Sequence, residues 1–212
     1  MKLLKLLRTG LKRNITYLLS FWRRRSLTNR DFTIISNNCW GGHVYQRYNL
    51  PYQTPFLGLF IPAPCYVKLL ENFEENMQKP LRFIPQQDSQ YYHRIMKKGE
   101  TYPIGVLGDD IEIHFLHYKT PQEAQEKWNR RKMRINAKNM LVKFAEIDCC
   151  TPELVERFDK LPFKHKICFC VHHYPRVACA ISYPVKRGEE AVGDFKFIPR
   201  RLVGLLNSLK EE

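Results

Sequence analysis

Residues 32–46 read FTIISNNCWGGHVYQ, and this stretch sets the expected fold. Thr33, Ile34 and Ile35 are β-branched and suit a short buried strand. Ser36 to Gly42 are polar or small and suit a tight exit from it. GGHVYQRYN then has the make-up of a helix start. The predicted unit is a strand leading directly into a helix, and the same pattern recurs downstream. IEIHFLHY at 111–118 is a strand candidate, followed by Thr120, Pro121 and Glu123, a capping box with proline at the first helical position. MLVKFAEI is a strand before Thr151–Pro152, which open PELVERFDKL, and KICFCV and VACAIS supply two more strands. Pro64 opens a helix with Val67, Leu70, Phe73 and Met77 on one stripe, and Pro199 opens a carboxyl-terminal one. Residues 80–103, with Pro80, Pro85 and paired tyrosines, read as a long surface loop. Apolar strands alternating with helices predict an α/β fold, a mostly parallel sheet with helices on both faces.

Length and composition set the bounds. A chain of 212 residues with 44% hydrophobic and 26% charged residues is long enough for one sizeable core. The expected division is a basic arm, 1–30, and a single α/β domain, 31–212. The net charge of +14 points to an anionic partner. Residues 1–30 hold nine lysines and arginines and no acid, so the body is only mildly basic. That split argues against nucleic acid binding by the body. Seven cysteines with no CxxC spacing indicate a reduced, cytoplasmic chain. Cys168 and Cys170, two apart on an apolar run, suit buried packing.

In the arm, Leu4, Leu7, Leu11, Ile15, Leu18 and Trp22 form one helical stripe among cationic residues. Two main readings are open: a helix packed on the domain, or one lying in the plane of an anionic membrane surface at the cytoplasmic face. Its apolar stretch is too short to span a bilayer, and charges interrupt any signal-peptide core.

Four blocks, FTIISNNCWGGHVYQ, LPYQTPFLGLFI, YPIGVLGDDIEIHFLHY and EKWNRRKMRIN, resemble a bacterial family, domain-of-unknown-function family nineteen-nineteen, over roughly residues 31–175. Members of that family are often labelled as exopolysaccharide- or capsule-biosynthesis proteins. The resemblance implies an α/β fold and an association with surface polysaccharide, and it supplies no mechanism.

Ligands of open parallel sheets collect outside the carboxyl ends of the strands. Cys39 and His117 are therefore the expected catalytic pair, if the strands before them run parallel. A cysteine at a helix start is expected to have a lowered pKa. Gly41 and Gly42 would leave backbone donors for a ligand. Asn37, Asn38, Trp40 and Tyr118 would line the same site, with Trp40 either a stacking platform for a sugar or a core aromatic. Lys127, Arg130 and Arg131 are either a solvated face or a phosphate-binding segment. Neither GxGxxG nor a P-loop is present, and no cofactor is expected. Asp109, Asp110, Glu112, His114 and His117 cannot share one metal ion along a straight strand. The Asp pair is expected to form a turn lying away from Cys39, and no metal site is assigned.

The function expected is a transferase, acyl or glycosyl, in surface-polysaccharide biosynthesis, acting on a sugar or lipid-linked phosphate substrate at the inner membrane face. The alternatives are a non-catalytic binding or assembly protein of the same machinery, or a papain-like cysteine hydrolase.

Overall fold

The computed structural model describes residues 17–147, 149–184, 191–193 and 196–209. In chain order the elements begin with β1 (Thr33–Ser36), α1 (Trp40–Arg47), α2 (Ala63–Glu71), α3 (Phe73–Gln78), β2 (Leu81–Ile84) and α4 (Tyr92–Lys98). They continue with β3 (Ile104–Leu107), β4 (Ile111–His114), α5 (Pro121–Lys132), β5 (Met140–Ala145), α6 (Pro152–Asp159), β6 (Lys166–Cys170), β7 (Ala180–Ser182) and α7 (Leu202–Asn207). One sheet has four parallel strands in the order β1-β5-β6-β7; the other is a three-stranded antiparallel meander, β2-β3-β4.

Alternation along the parallel strands assigns the two faces, because successive side chains point to opposite sides. Ile34, Leu141, Ala145, Ile167 and Phe169 pack with α1 and α7 through Trp40, Val44, Tyr45, Leu202 and Leu206. Ile35, Val142, Phe144, Cys168 and Cys170 pack with α2, α6 and the meander on the other side. The buried packing expected of Cys168 and Cys170 is what the strand builds. Two helix starts follow their sequence signals closely. Thr120 Oγ1 accepts from the Glu123 amide at 3.1 Å, and Thr151 Oγ1 from the Leu154 amide at 3.3 Å. In each case a proline follows the cap, where its missing N–H costs nothing.

The meander corrects two expectations. Residues 80–103 are not a loop: they hold β2, a 3-10 turn and α4. Nor does the strand at 111–118 belong to the parallel sheet. It stops at His114 and pairs antiparallel with β3. Only Gly108, Asp109 and Asp110 separate β3 from β4, and so short a connection can join only antiparallel strands. Gly108 takes φ 65°, the left-handed region that favours glycine. Gly105 in β3 admits no larger residue, since an added Cβ would lie 2.7 Å from Leu81 Cδ1 and 2.9 Å from Phe115 Cε2. Asp110 pairs with Lys68 at the turn before β4.

Of the arm, residues 1–16 lie outside the described residues, so Leu4, Leu7, Leu11 and Ile15 have no placement. Residues 17–25 are helical. Their root is held to α7: the Thr28 amide donates to Asn207 Oδ1 at 2.9 Å, and Asn207 Nδ2 donates to the Ser26 carbonyl at 3.0 Å. Ahead of that clamp, Tyr17, Leu18, Leu19, Phe21 and Trp22 are exposed.

Candidate functional site

The carboxyl end of β1 is built from its own side chains. Asn37 Nδ2 donates to the Ala145 carbonyl at 3.2 Å, and the Asn37 carbonyl accepts from the Ile61 amide at 3.0 Å, which holds the 56–61 segment across the strand ends. Asn38 Oδ1 accepts from Ser36 Oγ, the Trp40 amide and Lys143 Nζ, each at 3.1 Å. It therefore satisfies an amide that α1 leaves open. Trp40 is wholly buried, its Nε1 donates to the Phe197 carbonyl at 2.7 Å, and its ring packs edge-on against Phe169. An added Cβ on Gly41 would lie 3.1 Å from Ile34 Cγ2, so this glycine sets the approach of α1 to β1. The substrate contacts expected of Asn37, Asn38 and Gly41 are thus corrected, and of the two readings of Trp40 the core aromatic is the one the structure builds. Burial behind β1 makes them the support of the site, and leaves Trp40 no face for a sugar.

The others converge. Cys39, Gly42, His117, Tyr118, Lys127 and Arg131 line one cleft of about 280 Å³, joined by His43 and Tyr52. Cys39 and His117 reach it by different routes, the first from β1 and the second from the turn after β4. The His117 amide donates to the Gly58 carbonyl at 3.0 Å, and Gly58 has φ 66° with an added Cβ only 3.1 Å from His117 Cβ. Glycine is required there on both counts. Lys127 and Arg131 are four apart on α5 and so share a face, while Arg130 points to solvent outside the cleft. Arg131 Nη1 donates to Tyr118 Oη at 2.7 Å, and Tyr118 Oη donates to the Leu57 carbonyl at 2.6 Å. Lys127 pairs with Glu123 at 2.5 Å and lies 5.4 Å from the Tyr118 ring centre. Among the described residues lining the cleft, none carries a carboxylate.

Cys39 stands at the first cap position of α1, as expected, without a side-chain cap bond, and its thiol pKa is raised rather than lowered. Burial is the larger influence; backbone contacts at Gly58 and Leu59 and the Lys143 ammonium pull the other way without overcoming it. Its Sγ donates to the Leu59 carbonyl at 3.8 Å. A helix start favours a thiolate by a fraction of what desolvation costs it.

Two groups lie outside the sequence expectations. Lys143, in β5, is fully buried between Trp40 and Phe169, 5.9 and 5.0 Å from their ring centres, with its pKa lowered to about 7 by burial. A lysine inside the apolar run MLVKFA was the available signal. Glu146, just past β5, accepts from the Val171 amide, the His172 amide, His172 Nδ1 and Tyr174 Oη. Burial pushes its carboxyl up, but these donors outweigh it and hold it low. His172 is one arm of this cluster. Glu112 and His114, weighed in the sequence only within a metal set, lie on the far side of the 56–61 segment.

Comparison with known proteins agrees with the resemblance of the four sequence blocks. The chain is 33% identical over 175 residues to an uncharacterized protein of Haemophilus influenzae (strain ATCC 51907 / DSM 11121 / KW20 / Rd), covering 82% of this chain and 79% of that one. The family described as Domain of unknown function (DUF1919) matches residues 11–204, so the match begins within the basic arm and runs into α7. With a relative of that identity and a family match over most of its length, the chain belongs to the DUF1919 family.

Proposed function

We propose that the chain is a transferase of surface-polysaccharide biosynthesis that holds a phosphate-bearing saccharide precursor in the cleft between α1 and α5. One observation carries this reading: His43, His117, Lys127 and Arg131 surround a cleft whose described lining has no carboxylate, with Tyr52 and Tyr118 as aromatic walls. Arg131 is steadied by Tyr118 Oη and lies 6.0 Å over the Tyr52 ring, a pre-set geometry suited to phosphate oxygens. The protonated Cys39 thiol favours glycosyl transfer over acyl transfer through a thioester, and weighs equally against the hydrolase alternative.

Calorimetric titration with UDP-glucose and with inorganic pyrophosphate tests the reading. Both are expected to bind, more weakly as salt is raised, and Arg131→Gln is expected to cost about tenfold in affinity, the loss of one charged hydrogen-bonding partner. Absence of saturable binding by either probe removes the proposal. Binding of UDP-glucose without release of UDP on incubation with membranes would favour the assembly-protein alternative.

The arm supports placement at a membrane surface. Exposed Tyr17, Leu18, Phe21 and Trp22 precede Arg23, Arg24 and Arg25, apolar and cationic groups suited to an anionic interface. Among the described residues, no helix is long and apolar enough to cross a membrane. Vesicle flotation is the check: Trp22→Ala with Phe21→Ala is expected to weaken binding to phosphatidylglycerol vesicles severalfold. Equal flotation of the double variant, or equal binding to neutral phosphatidylcholine vesicles, would count against the arm.

A further inference from the structure

Behind the cleft lies a second hollow, of about 330 Å³, separated from it by residues 57–61 and 114–118. Its position follows from the sheet. The chain leaves β1 toward the α1 face and leaves β5 toward the α6 face, so the two connections part between the carboxyl ends of these neighbouring strands. Open α/β sheets hold ligands in the crevice outside such strand ends. Ile147 and Cys149, just beyond β5, form part of the floor, and Cys149 takes φ 63°, an uncommon conformation for a non-glycine residue. Phe60, Tyr91 and Tyr102 form much of the wall.

His114 also lines this cavity, although its side chain is only 3% exposed. Three rings surround it, with centres 5.9 Å (Phe60), 5.9 Å (Tyr91) and 5.6 Å (Tyr102) away. Its Nε2 lies 3.4 Å from Glu112 Oε2, and its Nδ1 lies 3.2 Å from Tyr102 Oη. Glu112 is fixed in turn by Ser89 Oγ at 2.6 Å and the Gln90 amide at 2.7 Å. Burial alone would push the Glu112 carboxyl up; contacts with His114, Ser89 and the Gln90 amide hold it low, so it is an ionised acceptor. Among the described residues Nε2 makes no hydrogen bond, but the carboxylate 3.4 Å away favours a ring proton on that nitrogen, and Nδ1 then accepts from the Tyr102 hydroxyl. An orienting carboxylate, an imidazole and a hydroxyl at a cavity wall form a chain that can move a proton.

We propose that this cavity is a second ligand site, taking a small hydroxyl-bearing ring. The ligand O–H donates a hydrogen bond to Tyr102 Oη, and the Tyr102 O–H donates in turn to His114 Nδ1. The aromatic wall selects the ring's apolar face, which either a phenol or a pyranose presents. The site does not depend on anion binding in the cationic cleft.

The test is a titration of the full chain, labelled at histidine nitrogen, with 4-fluorophenol and separately with methyl α-glucopyranoside, followed by nuclear magnetic resonance. Saturable binding of 4-fluorophenol assigns an aromatic alcohol and binding of the glucoside assigns a sugar ring; either should move the His114 Nδ1 resonance. Tyr102→Phe is expected to weaken binding roughly three- to tenfold, the range for one hydrogen bond, and to abolish that movement. Leu116→Trp, which fills the cavity from its wall, is expected to block both probes. The inference is overturned if neither probe binds saturably at millimolar concentration, or if Tyr102→Phe binds as tightly as the parent with the same Nδ1 response.

Discussion

Lys143→Met is expected to stabilise the protein by about 2–4 kcal/mol at pH 7, an outcome opposite to that of most core substitutions. The lysine is fully buried, its amine faces Asn38 Oδ1 and two aromatic rings, and its pKa falls from 10.5 to about 7 because burial penalises the charge. Each unit of such a shift corresponds to about 1.4 kcal/mol. Loss of the bond to Asn38 returns about 1 kcal/mol, and Asn38 Oδ1 keeps Ser36 Oγ and the Trp40 amide. The sign also fixes a pH window. Between about 7 and 10.5 the unfolded lysine holds a proton that the folded one has released. Unfolding therefore takes up a proton, and stability rises with pH in that window. Below 7 the full penalty is present, and above 10.5 it is gone. Urea denaturation of parent and variant at pH 7 and pH 8.5 should show a gap that narrows as pH rises. A variant no more stable than the parent at pH 7, or a gap that is flat with pH, would contradict the assignment.

Glu146→Ala is expected to act in the other direction, costing about 3–5 kcal/mol. The carboxylate gathers the Val171 amide at 2.7 Å, the His172 amide at 3.1 Å and Tyr174 Oη at 2.6 Å, and so ties the loop after β6 to the end of β5. Alanine leaves these donors in a half-buried place without an acceptor. The His172 side chain is 66% exposed and adds little to the total. Because the folded carboxyl is held below 4.5, its contribution is complete above that value and disappears as pH falls through the folded one. Hydrogen exchange at 171–174, measured with urea denaturation, is the check. A loss below about 1 kcal/mol with unchanged exchange would show that the loop is held by other means.

How much of this was legible in the sequence depended on range. Thr120–Pro121 and Thr151–Pro152 announced their helices because caps are local chemistry. The parallel strands were legible because they are apolar on both faces. The meander was missed because β2 and β3 are four residues each, one interrupted by Gly105, and the prolines around them suggested a loop. Gly108-Asp109-Asp110 was the overlooked clue that β4 turns back on β3. Cys39, Gly42, His117, Tyr118, Lys127 and Arg131, singled out from the sequence, line one cleft. Asn37 and Asn38 turn inward instead, because chain proximity to a strand end does not say which side chains face the core. Glu146 owes its environment to partners distant in sequence, such as Tyr174, and no local pattern encodes that.

The pairing of β1 with β5 carries a kinetic consequence. Thr33 is bonded in register to Met140, so the edge strand and its nearest neighbour in the sheet are separated by roughly a hundred residues of chain. During synthesis β1 leaves the ribosome early and has no strand partner until α2 to α5 and the meander have followed. Closing a loop of that length costs entropy before any contact repays it. The meander and its hairpin turn can form meanwhile from local contacts alone, and the parallel sheet must wait. For that interval Phe32, Ile34 and Ile35 are an unpaired apolar edge, the kind of exposed strand at which nascent chains associate with one another instead of folding.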